Sequence, residues 1–241
     1  MTSGIFPFPV ITRPCEPEDI FSGSEGPGSQ GYFRKKNKKF SGCVNLNLSD
    51  VNWFPSYNYI LASKSPRRIQ LLRDMGIPFT VQPVELPEVY PSGLGMLEIP
   101  VYLARQKARP FEGQLHDNDL LIAADTIVWL RRDILGKPAD KEEARVMLHK
   151  LSGHIHQVVT GVCLKSKVKE RTFHAVTHVE FKELTDKEID YYVTHFNPTD
   201  KAGAYGIQEW IGMAGITRVE GSYYNVVGLP VQRLYTEIMG F

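Results

Sequence analysis

The feature that most constrains this chain is a run without a polar side chain, Leu120-Leu-Ile-Ala-Ala124, that stops at Asp125-Thr126. A strand with one wet face would alternate, whereas an unbroken apolar run of this length suits a strand covered on both faces. Such a strand needs helices above and below it, which predicts a three-layer arrangement. Thr126-Ile-Val-Trp-Leu130 continues with strand-forming residues, which weakens the reading of Asp125 as a cap on a following helix. A buried carboxylate is costly unless a metal, a cation or a ligand compensates it. The C-terminal edge of an α/β sheet is also where ligands bind.

The flanking punctuation fits that frame. Tyr59-Ile-Leu-Ala62 predicts a short strand that runs into Ser63-Lys-Ser-Pro-Arg-Arg68. Pro66 occupies a first helical position, and an apolar stripe of Ile69, Leu71, Leu72 and Met75 closes at Gly76. Phe79–Pro83 predicts a second strand, and a helix around Tyr102–Lys107 ends near Pro110. Asp140-Lys-Glu-Glu143 opens another helix, closed by Leu151-Ser-Gly153. His156–Leu164 and Thr172–Phe181 alternate as long antiparallel strands; Thr185-Asp-Lys-Glu188 is a capping box; Val231–Met239 predicts the last helix. The expected fold is α/β: three layers, α/β/α, around a long mixed twisted sheet.

Residues 1–56 show no helical or strand period and carry scattered Gly, Pro and Ser, so they predict a linker-like or disordered N-terminal extension, with residues 57–241 as the functional domain. The basic run Arg34-Lys-Lys-Asn-Lys-Lys39 reads as a solvated tail, with nucleic acid or a membrane surface as the alternative. Lys plus Arg, 28, against Asp plus Glu, 27, leaves a net charge of +1, too balanced for gripping nucleic-acid phosphates over the whole surface. No apolar run approaches the ~20 residues that span a bilayer. Cys15, Cys43 and Cys163 have neither disulfide-framework nor zinc spacing. These features predict a soluble, cytoplasmic protein that holds neither nucleic acid nor membrane.

Three segments carry candidate chemistry. The Ser63–Arg68 turn aims helix N-terminal N–H groups and two guanidinium forks at one spot, which suits a phosphate; the alternative is an ordinary capped helix with surface arginines. Gly136-Lys-Pro138 sets Lys137 in a rigid turn after a predicted hairpin, where it is either solvated or neutralises charge on phosphoryl oxygens. Asp200-Lys-Ala-Gly-Ala-Tyr-Gly-Ile-Gln208 has glycines for close backbone approach, with Lys201 and Gln208 for directed polar contacts. Glu220–Asn225 and Gly228–Pro230 read as turns leading into the last helix. The histidines show no metal-ligand spacing, and no G-x-S-x-G is present.

In this order and spacing, these segments resemble the Maf family of nucleoside triphosphate pyrophosphatases. Leu103-Ala-Arg-Gln-Lys-Ala108, Ala124-Asp-Thr126, His156-Gln-Val-Val-Thr160 and Gly221–Pro230 complete the set. The unbroken Asp200–Gln208 segment resembles the subgroup that prefers dTTP and UTP. The resemblance implies an ITPase-like fold, a divalent cation (Mg²⁺ or Mn²⁺), a homodimer, and cleavage of the nucleoside triphosphate between its α- and β-phosphates, a house-cleaning role. It implies catalytic roles for Asp125, Lys137 and Glu88, with Asp125 and Glu88 as metal ligands. Ser63, Arg68 and Lys107 match positions around the phosphates, and Arg67, Thr126 and Gln208 positions tied to substrate choice. Glu85 competes with Glu88 for the second acid. The rivals are a nucleotide-binding regulator of cell division without turnover, a sanitising enzyme for deaminated purine triphosphates such as ITP and XTP, and a nucleic-acid binder using Arg34–Lys39.

Overall fold

The computed structural model describes residues 53–241. The expected extension, with its basic run, Cys15 and Cys43, lies outside the described residues except for its last four positions.

The apolar run becomes the middle of the longest-reaching strand. β3 (Asp119–Leu130) pairs from Leu121 to Trp129 with β5 (Ile155–Lys165), which pairs in turn with β6 (Glu170–Phe181). On its other side, β1 (Asn58–Leu61) runs parallel to both β3 and β2 (Phe79–Val81), while β7 (Ile216–Glu220) closes the far edge against β6. β4 (Asp133–Leu135) forms the expected hairpin with the end of β3. The order is β2-β1-β3-β5-β6-β7, parallel on one side of β3 and antiparallel on the other, so the sheet is mixed as predicted.

Strand alternation assigns the two faces. Leu121, Ala123 and Ile127 point toward α2 (Glu98–Ala108), where they meet Ala104, Ala108, Ile99 and Leu103. Leu120, Ile122 and Ala124 point the other way, into a cluster with Leu72 of α1 (Pro66–Asp74) and Leu234 and Ile238 of α7 (Val231–Met239). Farther along that same face, Val128, Val158 and Val179 join α3 (Lys141–Leu151) and α4 (Asp186–His195) in a second cluster. Three layers result, with two separate cores on one face of a single sheet. The helix signals read from sequence are realised: the Asp140 side chain accepts from Glu143 N, and Thr185 and Glu188 form a reciprocal capping box. The stretch read as turns holds more structure than expected, a short helix α6 (Tyr223–Val227) after β7. A further short helix, α5 (Trp210–Gly215), precedes β7. Among the described residues, no helix is long and apolar enough to cross a membrane.

Gly161, which pairs with Asp125 across the sheet, lets α2 lie against the strands. A Cβ there would fall 2.3 Å from the carbonyl carbon of Pro100 and the nitrogen of Val101, both backbone atoms that a rotamer change cannot move. Gly161→Ala is therefore expected to lower unfolding free energy by about 2 kcal/mol or more, the scale of an overpacked core, measured by urea unfolding.

Candidate active site

The site begins with a gap. On the β1 side, β3 pairs with β1 only through Ile122, and with β4 only from Val128. Neither neighbour reaches the residues between, so Asp125 and Thr126 stand where the sheet edge is open. Being adjacent in a strand they point to opposite faces, and a cleft of about 700 Å³ wraps the open edge and is lined by both. All nine residues singled out from sequence line it: Ser63, Arg67, Arg68, Glu88, Lys107, Asp125, Thr126, Lys137 and Gln208.

Asp125 is almost wholly buried, and Lys107, the penultimate residue of α2, donates to its Oδ1. Its Oδ2 is buried and, among the described residues, has no hydrogen-bond partner. Arg68 crosses behind the strand. Its Nη1 donates to Ala124 O (2.9 Å), its Nη2 to Thr126 Oγ1 (3.0 Å) and its Nε to Gly228 O (2.8 Å), while Ser63 Oγ lies 3.4 Å from Nη1. Thus most of the fork expected to face phosphate is committed to the protein, and it stands in for the missing strand neighbour at Ala124. Thr126 Oγ1 also meets Thr160 Oγ1 at 2.9 Å, and Thr160 donates to Asn225 O. This polar seam separates the two cores on that face.

The other cations each find an acid from a distant segment. Lys137 donates to Glu88 at 2.6 Å, Arg67 to Asp200 at 2.9 Å, and Lys64 to Glu85. Burial pushes the Glu88 carboxyl up, yet the hydrogen bond from Lys137 and the charges of Lys137, Lys107 and Arg68 outweigh it and hold Glu88 below the ordinary carboxylate range. Glu85 is drawn to Lys64 alone, so Glu88 is the glutamate that shares the electrostatic field of the Asp125 cluster. At the head of α1 the Ser65 side chain makes no capping hydrogen bond, and Ser65, Pro66 and Arg67 open into the cleft. Gln208 is exposed and lines the same cleft as Tyr205 and Val226.

The sequence pattern of the family described as Maf-like protein matches residues 58–241. The chain belongs to the Maf family. A curated relative from Phocaeicola vulgatus, named dTTP/UTP pyrophosphatase, is 54% identical over 183 residues, covering 76% of this chain and 95% of that one. A second from Parabacteroides distasonis, with the same name, is 50% identical, covering 77% and 96%. The solved Ham1 protein of Staphylococcus aureus matches at a TM-score of 0.43 with 16% identity, covering 76% of this chain and 98% of that one.

Sequence reasoning missed part of this Maf cleft. Asp200 was read within a motif but not as the partner of Arg67, 133 residues away. Tyr205 turns its hydroxyl inward to share a 2.7 Å hydrogen bond with His156 Nε2, and the imidazole stacks on Phe181. Neither contact has a spacing signature. The neighbours of His156 are thus aromatic, and among the described residues no group of three or more His, Cys, Asp or Glu side chains assembles.

Two expectations follow. A lysine cannot bridge Ala124, Thr126 and Gly228 at once, so Arg68→Lys is expected to lose about 2 kcal/mol of stability through unsatisfied acceptors, read by urea unfolding. Burial lowers His156 from 6.5 to about 3. Below pH 6.5 the unfolded chain binds a proton that the folded chain refuses until about pH 3, so stability rises with pH across that window. Between pH 6.5 and 5 this group alone removes about 2 kcal/mol, and His156→Gln is expected to flatten the slope in urea unfolding by that amount.

Proposed function

We propose that this chain hydrolyses dTTP and UTP to the nucleoside monophosphate and pyrophosphate. The observation that carries the reading is Asp125 Oδ2, a buried carboxylate oxygen without a partner among the described residues, on a residue that lines the cleft together with Arg67, Lys107 and Lys137. An orphaned oxygen is unfavourable unless something fills the position opposite it. Oxygen donors from Asp125 and Glu88 suit Mg²⁺ or Mn²⁺, which keep most of their shell for water and substrate phosphate. When bound there, such an ion would supply charge neutralisation on the phosphoryl oxygens and polarise the attacking water.

The protein's own groups account for the rest. Lys107 fixes Oδ1 of Asp125 and so aims Oδ2, which takes the proton of the attacking water as the bond between the α- and β-phosphates breaks. The departing pyrophosphate carries the negative charge, and Lys137, Arg67 and the free N–H groups at the head of α1 receive it. Arg68, tied to the strand, contributes a fixed positive charge and holds Thr126 and Gly228 in register. At the other end of the cleft Val128, Val158, Tyr205 and Val226 supply apolar surface for a base, and Gln208 a directed amide. Because the Thr126 hydroxyl already serves Arg68 and Thr160, base discrimination falls chiefly to Gln208. Residues 57–241 carry the activity in this reading, and the homodimer belongs to the same proposal.

Asp125→Asn is expected to retain the fold by circular dichroism and to lose at least ~10²-fold in rate, the low end for a general base. The measurement is pyrophosphate release from dTTP, UTP and inosine triphosphate with Mg²⁺. Parental turnover by the variant would overturn the assignment of Asp125. Binding without turnover in the parent would favour a nucleotide sensor, and inosine triphosphate outrunning dTTP a purine-sanitising enzyme.

A further inference from the structure

A chain of alternating charge runs from the second core to the mouth of the cleft. Tyr192, fully buried in α4, donates its hydroxyl to Glu209, and the same hydroxyl accepts from Gly206 N at 3.0 Å. Glu209 meets Lys201 at 3.0 Å, and Lys201 meets Asp200 Oδ1 at 2.7 Å while also donating to Asn197 O. Asp200 spends its other oxygen on Arg67 Nη1 at 2.9 Å, and its carbonyl lies 3.4 Å from Arg67 Nη2. Exposure varies along the chain: the side chain of Lys201 is 6% exposed, Glu209 21%, Arg67 24% and Asp200 44%. The alternating signs, minus, plus, minus, plus, cancel, which matters most for the buried Lys201.

The segment that carries these groups is also held rigidly. Gly203, at φ +71°, packs against Val128 and donates its N–H to Gly136 O at 3.0 Å, beside Lys137. Ala204 takes a left-handed φ of 61°, a strained conformation for a residue with a Cβ, which persists only where its surroundings enforce it. The backbone three residues beyond Asp200 is thus tied down, and Lys201 holds one oxygen of its carboxylate.

From this geometry we infer that Lys201 and Asp200 are positioning residues: Lys201, clamped by Glu209, fixes Asp200, and Asp200 holds the Arg67 guanidinium across the cleft in the orientation that receives the polyphosphate of the nucleotide. The inference rests on the reading of the cleft as a nucleotide site. The two-point hold leaves the remaining N–H groups of Arg67 free to meet phosphate oxygens, and it removes side-chain freedom that binding would otherwise have to restrict. A contrary arrangement, in which Asp200 merely competes with substrate for Arg67, predicts the opposite sign.

A double-mutant cycle decides it, run on the full chain with Asp200→Asn, Arg67→Ala and the pair, and read as calorimetric affinity for the α,β-methylene analogue of dTTP with Mg²⁺. Asp200→Asn is expected to weaken binding about tenfold, the effect of one charge-assisted hydrogen bond, and to do so only while Arg67 is present. In dTTP hydrolysis the same loss is expected in KM rather than kcat. Lys201→Met is expected to reproduce the loss and Lys201→Arg to restore most of it; should Lys201→Met fail to fold, the Asp200→Asn cycle decides alone. Equal weakening with and without Arg67, or tighter binding by Asp200→Asn, would overturn the inference. A parent that binds the analogue but leaves dTTP intact would count against hydrolysis, while the cycle still tested the positioning role.

Discussion

The site depends on one omission in the sheet. β3 continues for twelve residues, but its neighbour on one side changes from β1 to β4, so that among the described residues the stretch around Asp125 has no strand on that side. A backbone carbonyl buried there must be satisfied or it destabilises the fold by the full desolvation penalty. Arg68 answers this by donating to Ala124 O, and in doing so fixes α1, the β3 edge and Gly228 to one another. Asp125 is answered by Lys107 on the other face, which reaches the strand because Gly161 has no side chain to hold α2 away. The opening that lets the buried carboxylate line the cleft is thus also what recruits the cations around it.

The ion pairs of the cleft differ in kind. Lys64–Glu85 and Lys137–Glu88 are exposed, and pairs of that sort contribute little to stability because water screens them. They keep opposite charges from separate chain segments close together, and each partner can turn to a ligand of matching charge at small loss. Lys107–Asp125 and Lys201–Glu209 are buried, where removing one partner strands the other. The pairs that can be exchanged lie at the mouth and the pairs that cannot lie at the floor, an arrangement suited to admitting a polyanion without disturbing the groups that act on it.

Much of this was legible in the sequence because the signals were local. The apolar run ending at Asp125, Pro66 at the head of α1, Asp140 and the Thr185–Glu188 box each involve a few adjacent residues, and each appears where the spacing put it. The ordered motifs further identified which polar residues would meet, and one cleft gathers them all. What the spacing did not convey was which atoms are already occupied. Two arginines side by side look equivalent, yet Arg68 serves backbone oxygens 56 and 160 residues away while Arg67 faces the cleft. The Tyr192–Glu209–Lys201 linkage joins α4 to a loop through side chains whose spacing has no helical or strand period. The helix at Tyr223–Val227 is only five residues long, and the left-handed glycines Gly221 and Gly228 that bound it gave the stretch the appearance of turns.

The two cores on one sheet face give these contacts their consequence. α1 and α7 belong to one cluster, and the Asp200–Gln208 segment packs through Ala204, Tyr205 and Ile207 into the other. Between them the sheet presents the hydroxyls of Thr126 and Thr160 in place of apolar side chains, so the two groups of helices are not fused by a continuous core along that seam. Their separation leaves room for a ligand but also leaves the walls of the cleft dependent on polar contacts for their spacing. Arg67–Asp200 spans the mouth and Arg68–Gly228 the back, both anchored on the first turn of α1. One helical turn therefore sets the width of the cleft at both ends. The adjacent arginines point in different directions because one must hold the sheet closed behind the ligand while the other meets the opposite wall in front of it.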